Sequence, residues 1–214
     1  MQKAAVQSLF ARLQAADPQP RSALEYRNAF ELLVAVVLSA QATDISVNKA
    51  TPALFAAAPT PQAMSALGED GIARCIRTIG LYRTKARHLA ALCRMLMERH
   101  GGQVPCRRED LEALPGVGRK TANVVLNIAF GQATLAVDTH IFRIANRLGL
   151  ARGKTPLEVE TKLMKVVPAA YLHDAHHWLI LHGRHVCKAR KPECWRCDLA
   201  DLCAHQPKTR LPPP

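Results

Sequence analysis

Three features of the sequence have residue types and spacings that could do chemistry: a lysine beside two glycines, an aspartate before a helix, and four clustered cysteines. The lysine is Lys120, in the string LPGVGRKT that runs from Leu114 to Thr121. A lysine whose charged form is disfavoured is a nucleophile suited to Schiff-base chemistry. We expect Lys120 in the first turn of a helix, where the positive helix end, neighbouring Arg119 and partial burial would disfavour its ammonium form. The same spacing also fits a simple contact to a phosphate group.

The residues around Lys120 predict two helices joined by a short turn. The first helix is expected from about Arg108 to Leu114. Gly116 and Gly118 would give the turn positive φ angles and let a partner approach its backbone. The N–H groups that begin the second helix would then form an anion site suited to a DNA phosphate. A glycine-rich turn between helices without any such function is the alternative.

The segment Val137–His140 places an aspartate directly before a predicted helix. The commonest reason for an aspartate at such a position is a helix N-cap, and Asp138 could be only that. An enzyme that breaks an N-glycosidic bond also needs a carboxylate, either near the positive charge that develops on the sugar or to activate an attacking amine. Both roles can coexist, because a helix start keeps a carboxylate ionised.

Four cysteines near the C-terminus follow the spacing C-x6-C-x2-C-x5-C; they are Cys187, Cys194, Cys197 and Cys203. A structural zinc site usually has two C-x2-C pairs separated by a longer loop, whereas this segment has one such pair. The unequal gaps favour a [4Fe–4S] cluster held by four thiolates, with zinc as the alternative. The histidines between positions 173 and 185 lack a zinc-protease motif and are interpreted as core-edge and surface residues.

The charge balance favours a polyanionic partner. The chain of 214 residues has 29 Lys and Arg against 17 Asp and Glu, a net charge of +12. Cations that neutralise phosphates release condensed counterions and so favour nucleic-acid binding, although a merely soluble basic protein fits the same number. No stretch predicts a membrane span or a signal peptide, so we expect a cytoplasmic protein whose seven cysteines are thiols or metal ligands.

Apolar residues recur at helical spacing through most of the chain, which predicts an all-α fold. Thr155 and Glu158 are expected to form a capping box at the start of one helix. A later helix, from about Leu172 to His182, is expected to end at Gly183 as a C-cap. The basic, proline-rich segment 207–214 predicts a frayed tail.

Together these features resemble the endonuclease III family, bacterial DNA glycosylase/AP lyases for oxidised pyrimidines. The resemblance runs from about Phe30 to Cys203, with no large insertion. Besides the cysteine signature, it is carried by LLVAVVLSAQATD (32–44), TIGLY (78–82), LPGVGRKTANVV (114–125), VDTHIFR (137–143) and HHWLILHGR (176–184).

The resemblance implies two helical domains with a DNA-binding cleft between them. Residues 22–132 would form a six-helix domain with the helix–hairpin–helix motif, and residues 1–21 plus 133–214 a discontinuous iron–sulfur domain. We expect a monomer, associated with the nucleoid, that binds double-stranded DNA containing damaged pyrimidines or abasic sites.

The resemblance also implies roles for individual residues. Lys120 would attack the sugar C1′ and expel the base, β-elimination would then nick the strand 3′ to the lesion, and Asp138 would assist the proton transfers. The target base would leave the stack, with Gln41 bonding its orphaned partner and Leu81 filling the gap as a wedge. Further DNA contacts are expected at Gly116, Val117, Gly118, Arg119, Thr121, His140, Arg184 and Lys191. The cysteines 187, 194, 197 and 203 would hold a structural [4Fe–4S] cluster.

Two alternatives remain at this stage. A monofunctional adenine glycosylase of the same superfamily would share the cluster and the aspartate but lack a lysine at position 120. A non-catalytic DNA-binding or redox-sensing module would need neither Lys120 nor Asp138. Trp195, inside the short C-x2-C loop, and Arg83, beside the expected wedge, depart from the family pattern. Trp195 could shield the cluster or contact DNA.

Overall fold

The computed structural model describes residues 1–211, and within that range the chain is helical and contains no strand. This confirms the all-α prediction. The helices are α1 (Lys3–Ala16), α2 (Ala29–Ser39), α3 (Asp44–Ala57), α4 (Pro61–Cys75), α5 (Tyr82–His100), α6 (Arg108–Glu112), α7 (Arg119–Phe130), α8 (Thr139–Leu148), α9 (Pro156–Val166) and α10 (Ala169–His185), with a 3₁₀ turn at Cys194–Arg196.

The helices divide between two compact units. The first, here called the hairpin unit, comprises Ser22–Gln132 and contains the six helices α2 to α7. The second, the cysteine unit, combines Met1–Arg21 with the chain from Ala133 onward and contains α1, α8, α9 and α10. Lys120 belongs to the hairpin unit, and Asp138 belongs to the cysteine unit.

Helix α2 is the central element of the hairpin unit. Every residue from Phe30 to Leu38 is buried, and α2 packs against α3, α5 and α7. A helix that is apolar on all sides needs partners on all sides, which explains this placement. Its one buried carboxylate, Glu31, is neutralised by Arg27, whose Nη2 lies 2.6 Å from Glu31 Oε1. Asn28 caps the helix by accepting a hydrogen bond from Glu31 N at 3.0 Å.

The core of the cysteine unit joins the N-terminal helix to the C-terminal part of the chain. Phe10 of α1 stacks on Tyr171 at a centroid distance of 5.8 Å and lies 6.5 Å from the ring of Trp178. The Trp178 indole Nε1 donates to Asp17 O at 2.7 Å, just beyond the end of α1. Aromatic packing and a satisfied indole N–H therefore fix α1 on α10.

The predicted start of α9 is correct in place but differs in detail. Thr155 Oγ1 accepts from Glu158 N at 3.2 Å, as an N-cap should. Glu158 Oε2 accepts instead from Lys154 N at 2.9 Å, one residue before the position that a capping box requires. Glu158 thus binds the backbone of the residue before the N-cap rather than that of the N-cap itself.

The predicted end of α10 is wrong. The helix continues through Gly183 and ends at His185, so Gly183 is not a C-cap. A Cβ at Gly183 would lie 2.7 Å from Ile144 Cδ1 and 3.0 Å from His140 Cβ. The glycine is required because α8 packs directly against the α10 backbone at this point.

We expect Gly183→Ala to destabilise the protein. Overpacking typically costs about 1–3 kcal/mol, partly offset by the helix propensity of alanine, about 1 kcal/mol better than that of glycine. Ile144→Val removes the atom nearest to the added methyl group, so the double variant should recover part of the loss. Urea unfolding of the single and double variants measures the coupling. Strictly additive effects would show that α8 and α10 are not in contact through these atoms.

Candidate active site and metal centre

The turn between α6 and α7 is longer than the sequence indicates. Helix α6 ends at Glu112, not at about Leu114, and Val117 N donates to Leu114 O at 3.0 Å within the turn. Gly116 has a φ of 80°, as predicted, and a Cβ there would lie 3.0 Å from His88 Cβ. Both the backbone conformation and the packing against α5 therefore require glycine at position 116.

Gly118 does not have the positive φ expected from the sequence. Its φ is −96°, which any residue can adopt, and a Cβ at this position would meet no atom within 4 Å. Gly118 is the N-cap of α7 and provides no side-chain oxygen to the helix start. The fold itself therefore does not need a glycine here, and the space beside the uncapped N-terminus is open.

Lys120 is the second residue of α7 and its side chain is exposed, so the partial burial predicted from the sequence is absent. The first hydrogen bond of the helix runs from Ala122 N to Gly118 O at 2.9 Å, and the preceding N–H groups have no acceptor within the helix. Arg119 Nη1 lies 3.9 Å from Glu112 Oε1, which partly balances its charge. Lys120 therefore lies at the positive end of α7.

Asp138 is the N-cap of α8. Its Oδ1 accepts hydrogen bonds from His140 N and Ile141 N, both at 2.9 Å, and the side chain is half-buried. The capping role foreseen from the sequence is thus present. Both bonds use Oδ1, so the cap leaves Oδ2 available to act on a ligand. One carboxylate can therefore serve the helix and a reaction at the same time.

Two arginines of α8 bind the segment that carries the cysteines, and sequence reasoning missed both. Arg143 Nη2 donates to Gly183 O at 2.9 Å and to Cys187 O at 3.0 Å. Arg147 Nη1 donates to Lys188 O at 2.8 Å and lies 3.6 Å from Cys187 Sγ. The sequence pattern that could have indicated them is their i, i+4 spacing on the face of α8 opposite its apolar residues. The contacts themselves depend on the tertiary fold.

The four predicted metal ligands line one cavity; they are Cys187, Cys194, Cys197 and Cys203. His182 Nε2 lies 3.6 Å from Cys197 Sγ, and burial lowers the pKa of His182. The imidazole is then neutral near pH 7 and can donate one N–H to a thiolate. Within residues 1–211, no three His, Cys, Asp or Glu side chains are grouped closely enough for a single metal ion.

The segment after Cys203 is not frayed where it is described. Thr209 Oγ1 accepts from Cys194 N at 3.1 Å and also bonds to Pro192 O. Lys208 Nζ donates to Cys203 O at 2.7 Å. The prediction of a frayed tail is therefore wrong for positions 208 and 209, and its last part, 212–214, lies outside the described residues.

Glu193 binds two of the cations that surround the cysteines. Lys188 and Arg196 both donate to its carboxylate, and these hydrogen bonds hold the pKa of Glu193 below its usual value. Arg184 and Lys191, which the sequence assigned to DNA, have exposed side chains. Trp195 is also exposed, in the 3₁₀ turn.

Gln41 and Leu81 are the only non-glycine residues with a positive φ in the described part of the chain, at 54° and 58°. Both side chains are exposed. Their loops are adjacent, since a Cβ on Gly80 would lie 4.0 Å from Gln41 O. Such conformations are uncommon for side chains of this size and often occur at functional sites. Arg83, next to them, stacks its guanidinium 5.6 Å from the centre of the Tyr82 ring.

Comparison with known proteins identifies close relatives over nearly the whole chain. Residues 34–169 match the family described as HhH-GPD superfamily base excision DNA repair protein. Endonuclease III of Escherichia coli (strain K12) is 56% identical over 99% of this chain and 100% of its own length. Endonuclease III of Treponema pallidum is 59% identical over 92% of this chain and 94% of its own length.

Solved structures agree with these matches. A trapped endonuclease III–DNA covalent intermediate has a TM-score of 0.89 at 45% identity and covers 95% of this chain and 96% of its own. A thermostable thymine-DNA glycosylase shares the fold, with a TM-score of 0.84 at 24% identity over 94% of this chain and 96% of its own. None of the helices described between residues 1 and 211 has the length and apolar character needed to span a membrane.

Proposed function

Because this chain belongs to the endonuclease III family of HhH-GPD base excision DNA repair proteins, we propose that Lys120 is the nucleophile with which it removes damaged pyrimidines from duplex DNA. The protein is a DNA glycosylase/AP lyase. The observation that carries the assignment is the exposed amine of Lys120 at the uncapped start of α7, beside the open space at Gly118. A relative captured as a covalent intermediate with DNA supports a covalent route.

The proposed reaction has two stages. Asp138 assists the removal of a proton from the Lys120 ammonium group, and the free amine attacks the sugar C1′. The glycosidic C–N bond breaks, its electron pair and a proton go to the departing base, and ring opening leaves a Schiff base on Lys120. Loss of a C2′ proton then breaks the C3′–O bond, so the strand is nicked 3′ to the lesion. Asp138 also assists these later proton transfers.

Binding of the damaged duplex is assigned to the helix–hairpin–helix turn and to the exposed cations. The open N-terminus of α7 would take a backbone phosphate, and Arg184 and Lys191 would contact phosphates near the cysteines. Gln41 and Leu81 would occupy the gap left when the target base leaves the stack. The net charge of +12 favours this polyanionic partner, and the cytoplasm is its proposed location.

Replacing Gly118 by serine is expected to weaken binding to damaged duplex DNA about 10-fold, or roughly 1.4 kcal/mol. Serine is a good N-cap and its Cβ meets no atom within 4 Å, so Tm should stay the same or rise. The new side chain occupies the space that a phosphate would enter. Fluorescence anisotropy gives Kd, and Ala113→Ser in the same hairpin serves as control. Unchanged binding by Gly118→Ser would remove this turn from the DNA interface.

The four cysteines are assigned to a [4Fe–4S] cluster. Thiolates are the ligands such a cluster takes, and all four cysteines line one cavity. Arg147 Nη1 and His182 Nε2 lie 3.6 Å from Cys187 Sγ and Cys197 Sγ, where they would act as second-layer partners of metal-bound sulfur. When bound, the cluster would supply a structural cross-link between four points of the segment 187–203.

Metal analysis tests this cluster assignment. The purified protein should contain iron and acid-labile sulfide in equal amounts. Cys203→Ser should lose much of both, while Cys106→Ser, at an exposed cysteine outside the set, should keep them. A colourless wild-type protein with stoichiometric zinc would overturn the assignment.

Borohydride trapping tests the reaction. The protein is incubated with duplex DNA containing thymine glycol, reduced, digested and analysed by mass spectrometry. We expect a DNA adduct on the peptide that contains Lys120 and none with undamaged duplex. Base release without any adduct would exclude Lys120 as the nucleophile and indicate a monofunctional glycosylase.

A further inference from the structure

Lys85 is a buried charged residue of the hairpin unit that the proposed reaction does not use. Its side chain is 5% exposed, and burial lowers its pKa. The ammonium Nζ donates to Leu38 O at 2.8 Å. Burying an ammonium group is unfavourable unless hydrogen bonds or an opposite charge compensate for the lost hydration.

The hydrogen bond from Lys85 to Leu38 connects the end of α2 to the start of α5. Leu38 lies in the last turn of α2, where carbonyl groups have no N–H donor within the helix and a cation is favoured. Gln41 follows three residues later, in the turn that leaves α2. Lys85 itself lies in the first turn of α5, and its backbone N donates to Leu81 O at 3.0 Å. Lys85 therefore joins the loop of Gln41 to the loop of Leu81.

Both loops have backbones that need external support. Gln41 and Leu81 have φ values of 54° and 58°, in the left-handed region that side-chain-bearing residues rarely adopt. The backbone at Gly80 also packs beside Gln41 O. Residues in such conformations persist only where the surrounding structure fixes them, and the Lys85–Leu38 bond lies at the base of both loops.

We propose that Lys85 is a positioning residue that locks the Gln41 and Leu81 loops together, so that the two side chains enter the duplex as one preformed unit. The proposal rests on the DNA roles assigned to Gln41 and Leu81 above. Lys85 acts through these two residues and does not touch the substrate. An apolar residue at this position would leave Leu38 O buried without its donor and would let the two loops move independently.

The test compares Lys85→Met with wild type on two substrates. On a duplex that pairs the lesion with 2-aminopurine, we expect Lys85→Met to lower the rate of base release about 10- to 100-fold and to reduce the fluorescence rise that reports estrangement of the opposite base. On a single-stranded abasic substrate no opposite base has to be separated. The rate of nicking by Lys85→Met should therefore differ from that of wild type by less than about 3-fold. Arg87→Met, at an exposed position on the same helix, is the matched control and should behave as wild type on both.

Further variants separate the possible failures. Lys85→Arg keeps a donor for Leu38 O and should retain most of the duplex activity. This variant tests the proposal even if Lys85→Met folds poorly. Lys85→Met combined with Leu81→Ala should be no slower than the slower single variant, because both act through the same loop. Equal loss on both substrates, or additive effects in the double variant, would overturn the proposal for Lys85. A Leu81→Ala variant with wild-type duplex activity would instead remove the wedge role assigned under the proposed function, and the inference for Lys85 with it.

Discussion

Replacing Lys120 by alanine is expected to abolish the borohydride-trapped adduct and to lower strand nicking on the order of 10³- to 10⁶-fold, since removal of a nucleophile has effects of this size. The free energy of unfolding should change by less than about 0.5 kcal/mol, because the side chain is exposed. Gel assays of nicking and of the adduct, with thermal unfolding, measure both quantities.

Two further variants distinguish a nucleophile from a phosphate contact at Lys120. Lys120→Arg keeps the positive charge and would restore activity if the residue only neutralised a phosphate, whereas we expect it to be as inactive as Lys120→Ala. Arg119→Ala removes the adjacent cation, which already lies 3.9 Å from Glu112, and should lower DNA affinity but keep the adduct. An active Lys120→Arg enzyme would contradict the assignment of Lys120.

The second large effect is expected at Asp138, whose two roles can be separated. Asparagine keeps an Oδ1 that accepts from His140 N and Ile141 N, so Asp138→Asn should retain the cap and the stability of the protein. It loses the carboxylate that we propose assists the attack of the amine, and the rate of base release should fall about 10²- to 10⁴-fold. Single-turnover kinetics on a thymine glycol duplex measures this fall.

Asp138→Ala provides the comparison. It should lose the same activity and, in addition, about 1 kcal/mol of stability, because the N–H groups at the start of α8 lose their cap. The difference between the two variants in urea unfolding therefore isolates the capping role. If Asp138→Asn were as active as wild type, capping would be the entire function of this residue.

Much of the local structure could be predicted from the sequence, because it depends on neighbouring residues. Asp138 before an apolar helix face and Thr155 before Pro156 both cap the helices that follow them. Gly116 has its positive φ for the same local reason, the sharp turn between α6 and α7. The order of motifs also sufficed to identify the family, which the comparisons confirmed.

The features that were not predicted depend on residues distant in the sequence. The sequence around Gly183 indicates a helix end, whereas the structure requires a glycine there because Ile144 of another helix packs against it. Glu193 neutralises cations on either side of it only because the segment folds back on itself. The roles of Lys85 and Arg147 could not be predicted from the sequence, because their acceptors are backbone carbonyls. Every residue type has such a carbonyl, so the residue types do not indicate these contacts.

The cysteine unit is discontinuous, and this has a consequence for synthesis on the ribosome. Helix α1 emerges before the hairpin unit, with Val6, Leu9 and Phe10 exposed, but their partners on α10 are made only after that entire unit. At about 5–20 residues per second, the delay is at least several seconds. The hairpin unit can fold during this interval. The nascent chain must therefore keep an apolar N-terminal helix from aggregating until its C-terminal partners arrive.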